Sequence, residues 1–426
     1  MGKRAKYPKG DNEVMEFIAD FHIHSKYSRA TSRDMDIKHL AEWAKLKGIT
    51  LIGTGDFTHH LWLEEVKYHL EDLGNGLFKY QDIYFILTSE ISSIYSKKGK
   101  TYRIHNMIFS PSFKTTDKIN ETLSRYGNLA SDGRPILGMD AAELARIIFD
   151  IDATCMMVPG HIWTPWFSVF GSMSGFDRIE DCFEEQTPNI FALETGLSSD
   201  PGMNWRLSAL DRFTLISNSD SHSPSKIGRE ANVFNCELNY KTIREVLKTK
   251  DKQRFLYTIE FFPEEGKYHF DGHRLCGVRF SPKETRDNKS RCPKCGKSLT
   301  VGVMNRVEQL ADRPEGFLPN NSIPFKNLIP LDEIIAEAKG VGKGSVAVEK
   351  DYRSAIAKFG TEFAILLKAP KEDLLKGLPA RVAEGVLRVR AGKVRIKAGF
   401  DGEYGTISIF ADEEKQEKTE QQLSLF

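Results

Sequence analysis

Seven times along this chain an apolar run stops on a residue able to ligate a metal. The runs are FIADFHIH, ITLIGTGD, YFILTSE, YRIH, CMMVPGH, IFALE and LISNSDSH. They end on His22 and His24, Asp56, Glu90, His105, His161, Glu194, and Asp220 with His222. Apolar runs of that length, bounded by turn residues, read as buried parallel strands. Between them lie stretches with helical spacing: MDIKHLAEWAKLKG stopped by Gly48, LWLEEVKYHLEDLG stopped by Gly74, and MDAAELARIIFDI. This alternation predicts βα units closing into a mainly parallel barrel. Residues at barrel strand C-termini converge on one face, where active sites are built. Five imidazoles and four carboxylates at one mouth would repel or stay unsatisfied unless cations sat among them.

After YKTIREVLKT, which reads as a closing helix, the texture changes. The expected organisation is a barrel over 16–260 and a small zinc-binding domain over 261–325. A helical C-terminal domain with DNA contacts follows over 326–410, ending in the small β segment VRIKAGFDGEYGTISIF, and a flexible charged tail spans 411–426. At 426 residues the chain exceeds one comfortable core, which stops growing at roughly 250–300 residues. Its 60 basic and 59 acidic side chains carry no chain-wide polyanion signal, although a local basic groove is compatible with that balance. The N-terminus lacks the apolar segment of a signal peptide and no run reaches a membrane span, so a cytoplasmic protein with no membrane partner, a monomer, is expected. Six scattered cysteines with one tight pair fit a reducing compartment and a metal knuckle rather than a disulfide framework.

That pair, Cys292 and Cys295, follows Cys276 after a 15-residue interval, with His273 and His269 just upstream. HxxC and CxxC knuckles predict a closed structural zinc site of His273, Cys276, Cys292 and Cys295. Spacing favours His273 over His269 as the fourth ligand.

Within the barrel, alternation places His22 and His24 on one face, where they can bite one ion together. Glu90 and Asp220 are the expected completing ligands, with Glu90 bridging to a second ion held by His105 and His161. Asp56 and His222 remain for a weaker third position. Bridged ions about 3.5–4 Å apart clamp a phosphoryl group and activate water. The pattern resembles the PHP (polymerase and histidinol phosphatase) superfamily, on His22-Ile-His24, Gly53-Thr-Gly-Asp56, Glu90, His105, His161 and Asp220-Ser-His222. That resemblance implies an α/β fold, a distorted (β/α)7 barrel, with up to three zinc or manganese ions. Phe57 stands where many members carry histidine, which shifts weight onto the first two ions.

Weaker signals surround this cluster. Trp163, Trp166 and Phe167 follow the His161 strand and read either as stacking partners for an extruded base or as rim packing. GVGKGS lacks phosphate-loop spacing and reads as a helix-ending turn. The run Arg381, Arg388, Arg390, Lys393, Arg395, Lys397 reads as a nucleic-acid track or, more commonly, a solvated face. The tail ends in Gln422, Leu423, Ser424, Leu425 and Phe426, similar to the peptide by which bacterial repair proteins dock on the sliding clamp. Its alternative is a tail folded back on its own surface.

Taken together, the chain resembles the endonuclease Q family over nearly its whole length: GTGDF, HIWTPWF, ETGLSSDP, SNSDSHSP, YHFDGHRLC…CPKCG and LADRPEG carry the likeness. The resemblance implies nicking of damaged DNA on the 5′ side of uracil, hypoxanthine, xanthine or an abasic site, leaving 3′-hydroxyl and 5′-phosphate ends. Zinc, manganese or magnesium would serve, with Asp220 and Glu90 in catalytic roles. The rival expectations are a PHP phosphatase on a small phosphomonoester and an inactive DNA-binding scaffold.

Overall fold

The computed structural model describes residues 14–411 of the chain. The α/β architecture is present, but the sheet is mixed rather than mainly parallel. Val14–Asp20 is parallel to Leu51–Gly53, which is parallel to Ile83–Lys97. On its other edge Val14–Asp20 is antiparallel to Ala231–Glu237, itself antiparallel to Phe255–Glu260. Ile83–Lys97 and Lys100–Ser110 form a long antiparallel hairpin, and Met156–Pro159 joins it antiparallel. Ala192–Glu194 and Thr214–Ile216 make a separate parallel pair.

The hairpin has a local cause. Lys98 and Gly99 both take positive φ, 50° and 79°, the type I′ geometry that matches strand twist across a two-residue turn. So short a connection can only return the chain antiparallel.

Two buried clusters fill the two faces of this sheet. Phe17, Phe21, Ile86, Phe109, Val158, Ile216 and Phe234 plug the barrel interior. Phe21 meets Phe109 edge-on at 5.5 Å and Phe17 stacks on Phe234 at 5.4 Å. Burying each such ring is worth about 1.5–3 kcal/mol. Outside, Ile52, Phe85 and Leu87 pack with Leu40, Trp62, Leu144 and Ile148 in the other cluster. Strands covered on both sides read as unbroken apolar runs, which is why they were visible in the sequence.

Ile37–Lys47 is capped by Asp36 and stopped by Gly48, and Ala141–Ile151 and Tyr240–Thr249 are capped by Asp140 and Asn239. The stretch LWLEEVKYHLEDLG departs from expectation. Its helix covers only His60–His69, because Glu71–Asp72 pairs with Phe78–Tyr80.

Downstream, Asp271–His273 and Val278–Phe280 make a small hairpin, while Phe325–Asn327 returns to the main sheet beside Phe255–Glu260. The helices Leu331–Lys339, Val346–Phe359, Lys371–Gly377 and Ala380–Arg390 follow, then the pair Arg395–Lys397 and Thr406–Ser408. The helix Val346–Phe359 ends at Gly360, and a π-helical turn follows at Ala364–Lys368. GVGKGS is the turn between the first two of these helices, and Ser345 caps the second by accepting from Val348 N. No helix among the described residues is long and apolar enough to cross a membrane.

One buried ion pair joins the helical region to the barrel. Lys47 Nζ lies 2.9 Å from Glu362 Oε2, and both side chains are 4% exposed. Glu362 also accepts from Leu331 N at 3.0 Å and Tyr352 OH at 2.7 Å. Lys47→Met strands this carboxylate without its counter-charge and is expected to cost about 3–5 kcal/mol in urea unfolding. Lys47→Met with Glu362→Gln should recover much of that loss; equal instability of the single and double variants would contradict the pairing.

Candidate metal centre

The His22-Ile-His24 segment continues past the Val14–Asp20 strand and is held by a bridge from Ile23 to Ser221, with His24 N donating to Ser221 O at 2.9 Å. Glu90 and His105 are not at strand ends as the sequence suggested. They lie inside the long hairpin, in a register that sets Glu90 opposite Met107 and Ser92 opposite His105. Period-2 alternation therefore puts Glu90, Ser92 and His105 on one face. His161 follows the Met156–Pro159 strand, where Gly160 N donates to His105 O at 2.9 Å. Asp56, His161 and Asp220 take positive φ of 48°, 29° and 46°. Left-handed backbone at non-glycine residues is strained, and such strain collects at functional sites.

Three donor groups result, each with its atoms within 4.8 Å of one another: His22, His24 and Glu90; Glu90, His105 and His161; and His24, Asp220 and His222. Glu90 is common to the first two. Its Oε1 lies 2.7 Å from His105 Nδ1 and 3.1 Å from His161 Nε2, and its Oε2 lies 3.4 Å from His24 Nε2. Asp220 Oδ1 approaches His24 Nε2 at 3.0 Å.

Two further carboxylates stand behind these donors. Asp56, expected as a ligand, joins no donor group. Its Oδ1 sits 3.1 Å from His24 Nδ1, and its Oδ2 accepts from Ser25 N, Ser25 Oγ and Ser28 Oγ at 2.6, 2.7 and 2.8 Å. Glu194 does the same for His22: both oxygens lie 3.0 Å from Nδ1, while His161 N and Asn218 Nδ2 donate to it at 2.8 Å. A carboxylate on one ring nitrogen fixes the tautomer and orients the other nitrogen for a metal.

The titration behaviour follows from this crowding. Burial opposes charge on His24, but the Asp56 and Asp220 carboxylates outweigh it and lift the ring to about 9. His22 is likewise raised well above its ordinary value, burial being overcome by Glu194 and Glu90. His105 goes the other way, to about 4, because burial wins over Glu90. Glu90 stays well below the usual carboxylate range: burial opposes its charge, but His105, His22 and Arg134 prevail. Imidazoles that gather protons from buried carboxylates are positions a divalent cation can take instead.

The residues fit such ions. His22 Nε2 is buried without a hydrogen-bond partner, 3.6 Å from Glu90 Oε1 and 3.8 Å from Asp220 Oδ1. Those gaps are too long for hydrogen bonds, and metal bonds of about 2.1 Å set neighbouring ligand atoms roughly 3–3.5 Å apart.

A fourth donor group lies outside the barrel, where His273, Cys276, Cys292 and Cys295 converge. Cys295 Sγ is 3.7 Å from His273 Nδ1, and Lys294 Nζ donates to Cys276 O at 2.7 Å across the turn. His269 is buried elsewhere and stays out of the group. The mixed thiolate and imidazole set suits zinc.

The barrel cluster opens into a cleft of about 430 Å³, lined by His105, His161, Asp220, Arg134, Trp166 and Phe167 among others. Trp166 is 38% exposed and meets Tyr268 edge-on at 5.6 Å. Phe167 covers His105 at 4.6 Å between ring centroids. Trp163, grouped with them in the sequence, is instead core. It is buried, donates from Nε1 to Asn204 Oδ1 at 2.8 Å and packs on Phe170.

A family model for the MJ0043 C-terminal domain matches residues 330–393. Uncharacterized protein YqxK of Bacillus subtilis is 30% identical over 92% of this chain and 100% of its own length. Uncharacterized protein MJ0043 of Methanocaldococcus jannaschii is 34% identical over 61% of this chain, which spans only 33% of that relative. The crystal structure of the lesion-specific endonuclease PfuEndoQ from Pyrococcus furiosus matches with a TM-score of 0.84 and 31% identity, covering 95% of this chain and 99% of that one. This chain belongs to the endonuclease Q family. A crystal structure of endonuclease Q with a 27-mer duplex carrying an abasic lesion at the active site matches at TM-score 0.82 and 31% identity, over 94% and 98% of the two chains.

Relative to the sequence reading, this endonuclease Q member gains Arg134, whose Nη1 is 3.2 Å from Glu90 Oε2. It gains Glu194 as the orienting partner of His22, and Ser25 and Ser28 around Asp56. Arg134 sits in a turn-like SDGRP stretch with no periodic signal, and only the fold brings it to the cluster.

Removing an orienting carboxylate should weaken ion binding without removing a donor atom. Glu194→Gln or Asp56→Asn is expected to lower divalent-ion affinity about 10–100-fold, read by calorimetric titration. Affinities equal to the parent would show that these carboxylates do not orient the rings. Cys292→Ala should lower zinc content by one equivalent per chain and depress Tm; intact zinc stoichiometry would remove the knuckle assignment.

Proposed function

We propose that this protein is a metal-dependent DNA repair endonuclease. It hydrolyses the phosphodiester 5′ of deaminated bases (uracil, hypoxanthine, xanthine) and of abasic sites, leaving 3′-hydroxyl and 5′-phosphate ends. The observation that carries this reading is the buried Glu90 shared by two donor groups, in contact with the His105 and His161 that line an open cleft. It sits in a chain matched over 94% of its length by an endonuclease Q that holds abasic duplex at its active site.

His22, His24, Glu90 and Asp220 would hold one ion, and Glu90, His105 and His161 its neighbour, with His222 beside His24 and Asp220 for a third. Zinc, manganese or magnesium bound there would activate water and stabilise charge on the phosphoryl oxygens. Asp220 stays ionised, burial being overcome by His24 and His22. With a side chain 27% exposed, it can accept a hydrogen bond from the attacking water and orient it. The water gives up a proton to solvent as its oxygen adds to phosphorus, the bond to the 3′-oxygen breaks, and that oxygen takes a proton from solvent to become the 3′-hydroxyl.

Trp166, at the rim, is the aromatic placed to stack on an extruded base, a role Trp163 cannot take from the core. The helical region supplies further DNA contacts. Its GVGKGS turn is tied to the loop after His222, because Glu333 Oε1 bonds both Lys343 Nζ at 3.0 Å and Lys226 Nζ at 3.1 Å. The sliding clamp is the proposed partner of Gln422, Leu423, Leu425 and Phe426, which lie outside the described residues.

Duplexes with one uracil, hypoxanthine or abasic site test this reading, with manganese, magnesium or zinc and an EDTA control. A metal-dependent nick 5′ of the lesion is expected. In Asp220→Asn the rate should fall about 10²-fold, the scale of misplacing a reacting group. Intact lesion DNA beside turnover of a generic phosphomonoester would move the assignment to a small-molecule phosphatase.

A further inference from the structure

The segment Asp132-Gly133-Arg134 carries a cation to the metal cluster, and its placement is over-determined. Gly133 lies against the residues behind His24, where a Cβ would collide with Asp56 Oδ2 and Ser28 Oγ, so only glycine fits. Its N–H donates to Tyr27 O at 3.1 Å, and Thr58 Oγ1 donates to its carbonyl at 3.3 Å. On the other side Ser92 N donates to Pro135 O at 3.0 Å, and Ile136 pairs with Ser92. Asp132 Oδ1 accepts from Arg134 N at 3.1 Å and Arg29 N at 3.4 Å.

This anchoring sets Arg134 Nη1 at 3.2 Å from Glu90 Oε2, with the side chain 27% exposed along the cleft wall. Among the described residues its guanidinium bonds Glu90 alone, so most of its five-donor fork remains for another acceptor. Charge balance says what that acceptor is. Two divalent ions already balance the four carboxylates Glu90, Asp220, Asp56 and Glu194, so a guanidinium beside them is not needed for neutrality. It raises the positive potential of the cleft, which is offset only when an anion enters. A planar fork matches the oxygens of a phosphodiester.

Resting on the endonuclease reading above, we infer that Arg134 contacts a non-bridging oxygen of the scissile phosphodiester while its other edge holds Glu90. It is then a catalytic residue, not only a support for Glu90. Arg29, held by Asp132 with its side chain 84% exposed, extends the same positive rim outward.

Single-turnover cleavage of an abasic duplex by the parent, Arg134→Ala and Arg134→Lys, with ion content measured per chain, tests the assignment. Arg134→Ala should keep its ions and cut about 10²–10³-fold more slowly, the range for losing one preorganised donor. Arg134→Lys should recover part of the rate. Millimolar guanidinium, but not equal sodium chloride, should partly rescue Arg134→Ala. In an Asp220→Asn background, which separates binding from cleavage, Arg134→Ala should reduce the salt slope of duplex affinity by about one. Rate loss only in proportion to lost ions, with no rescue and an unchanged slope, would reduce Arg134 to a support for Glu90. A parent enzyme that nicks normally beside an equally fast Arg134→Ala sinks this assignment alone. A metal-loaded parent that leaves the lesion duplex intact sinks the endonuclease reading itself.

Discussion

One carboxylate organises this molecule. The Glu90 side chain is fully buried, where an unpaired charge would cost several kcal/mol. It is tolerable because His105, His161, His24 and Arg134 surround it at 2.7, 3.1, 3.4 and 3.2 Å. Those partners come from four separate places in the chain, so the charge can be satisfied only when the barrel has closed. The same carboxylate belongs to two donor groups, so ion binding and barrel closure draw on one set of contacts.

The strain near this centre is held by the surrounding structure. Left-handed backbone at Asp56, His161 and Asp220 costs roughly 1–3 kcal/mol each. Each is held by hydrogen bonds to its neighbours. Asp56 is pinned by Ser25 and Ser28, His161 N by Glu194, and the Asp220 carbonyl by Arg229 Nη2 at 3.4 Å. Below them the aromatic plug of Phe17, Phe21, Phe109 and Phe234 leaves little room for the strand ends to relax.

Much of this was legible in the chain because strands buried on both faces leave unbroken apolar runs, and capped helices announce their ends. Gly48 as a helix stop and YKTIREVLKT as a helix were read correctly for that reason, and the structure adds their caps, Asp36 and Asn239. The failures have physical causes too. The Lys98-Gly99 turn gives a two-residue hairpin signal that competed with the expectation of parallel βα units and won. Glu90 and His105 therefore sit inside strands, not at their ends. Trp163 and Trp166 are three residues apart yet face core and cleft, a difference set by the loop's path rather than by residue type. Arg134 lies in a turn and meets Glu90 across 44 positions, a pairing with no local signature.

The difference between Asp56 and Asp220 bears most directly on chemistry. Both follow apolar strands, both take left-handed φ, and each lies 3.0–3.1 Å from a nitrogen of His24. Yet Asp56 has no exposed side-chain surface and spends its oxygens on serine donors, whereas Asp220 is 27% exposed. A carboxylate with its lone pairs taken by protein donors can orient a ring but has none left to hold an attacking water. The depth of the cluster thus divides its acids by task. Glu90, Glu194 and Asp56 are buried around the imidazoles they hold, and Asp220 stands at the boundary where solvent, and any phosphodiester entering the cleft, can meet it.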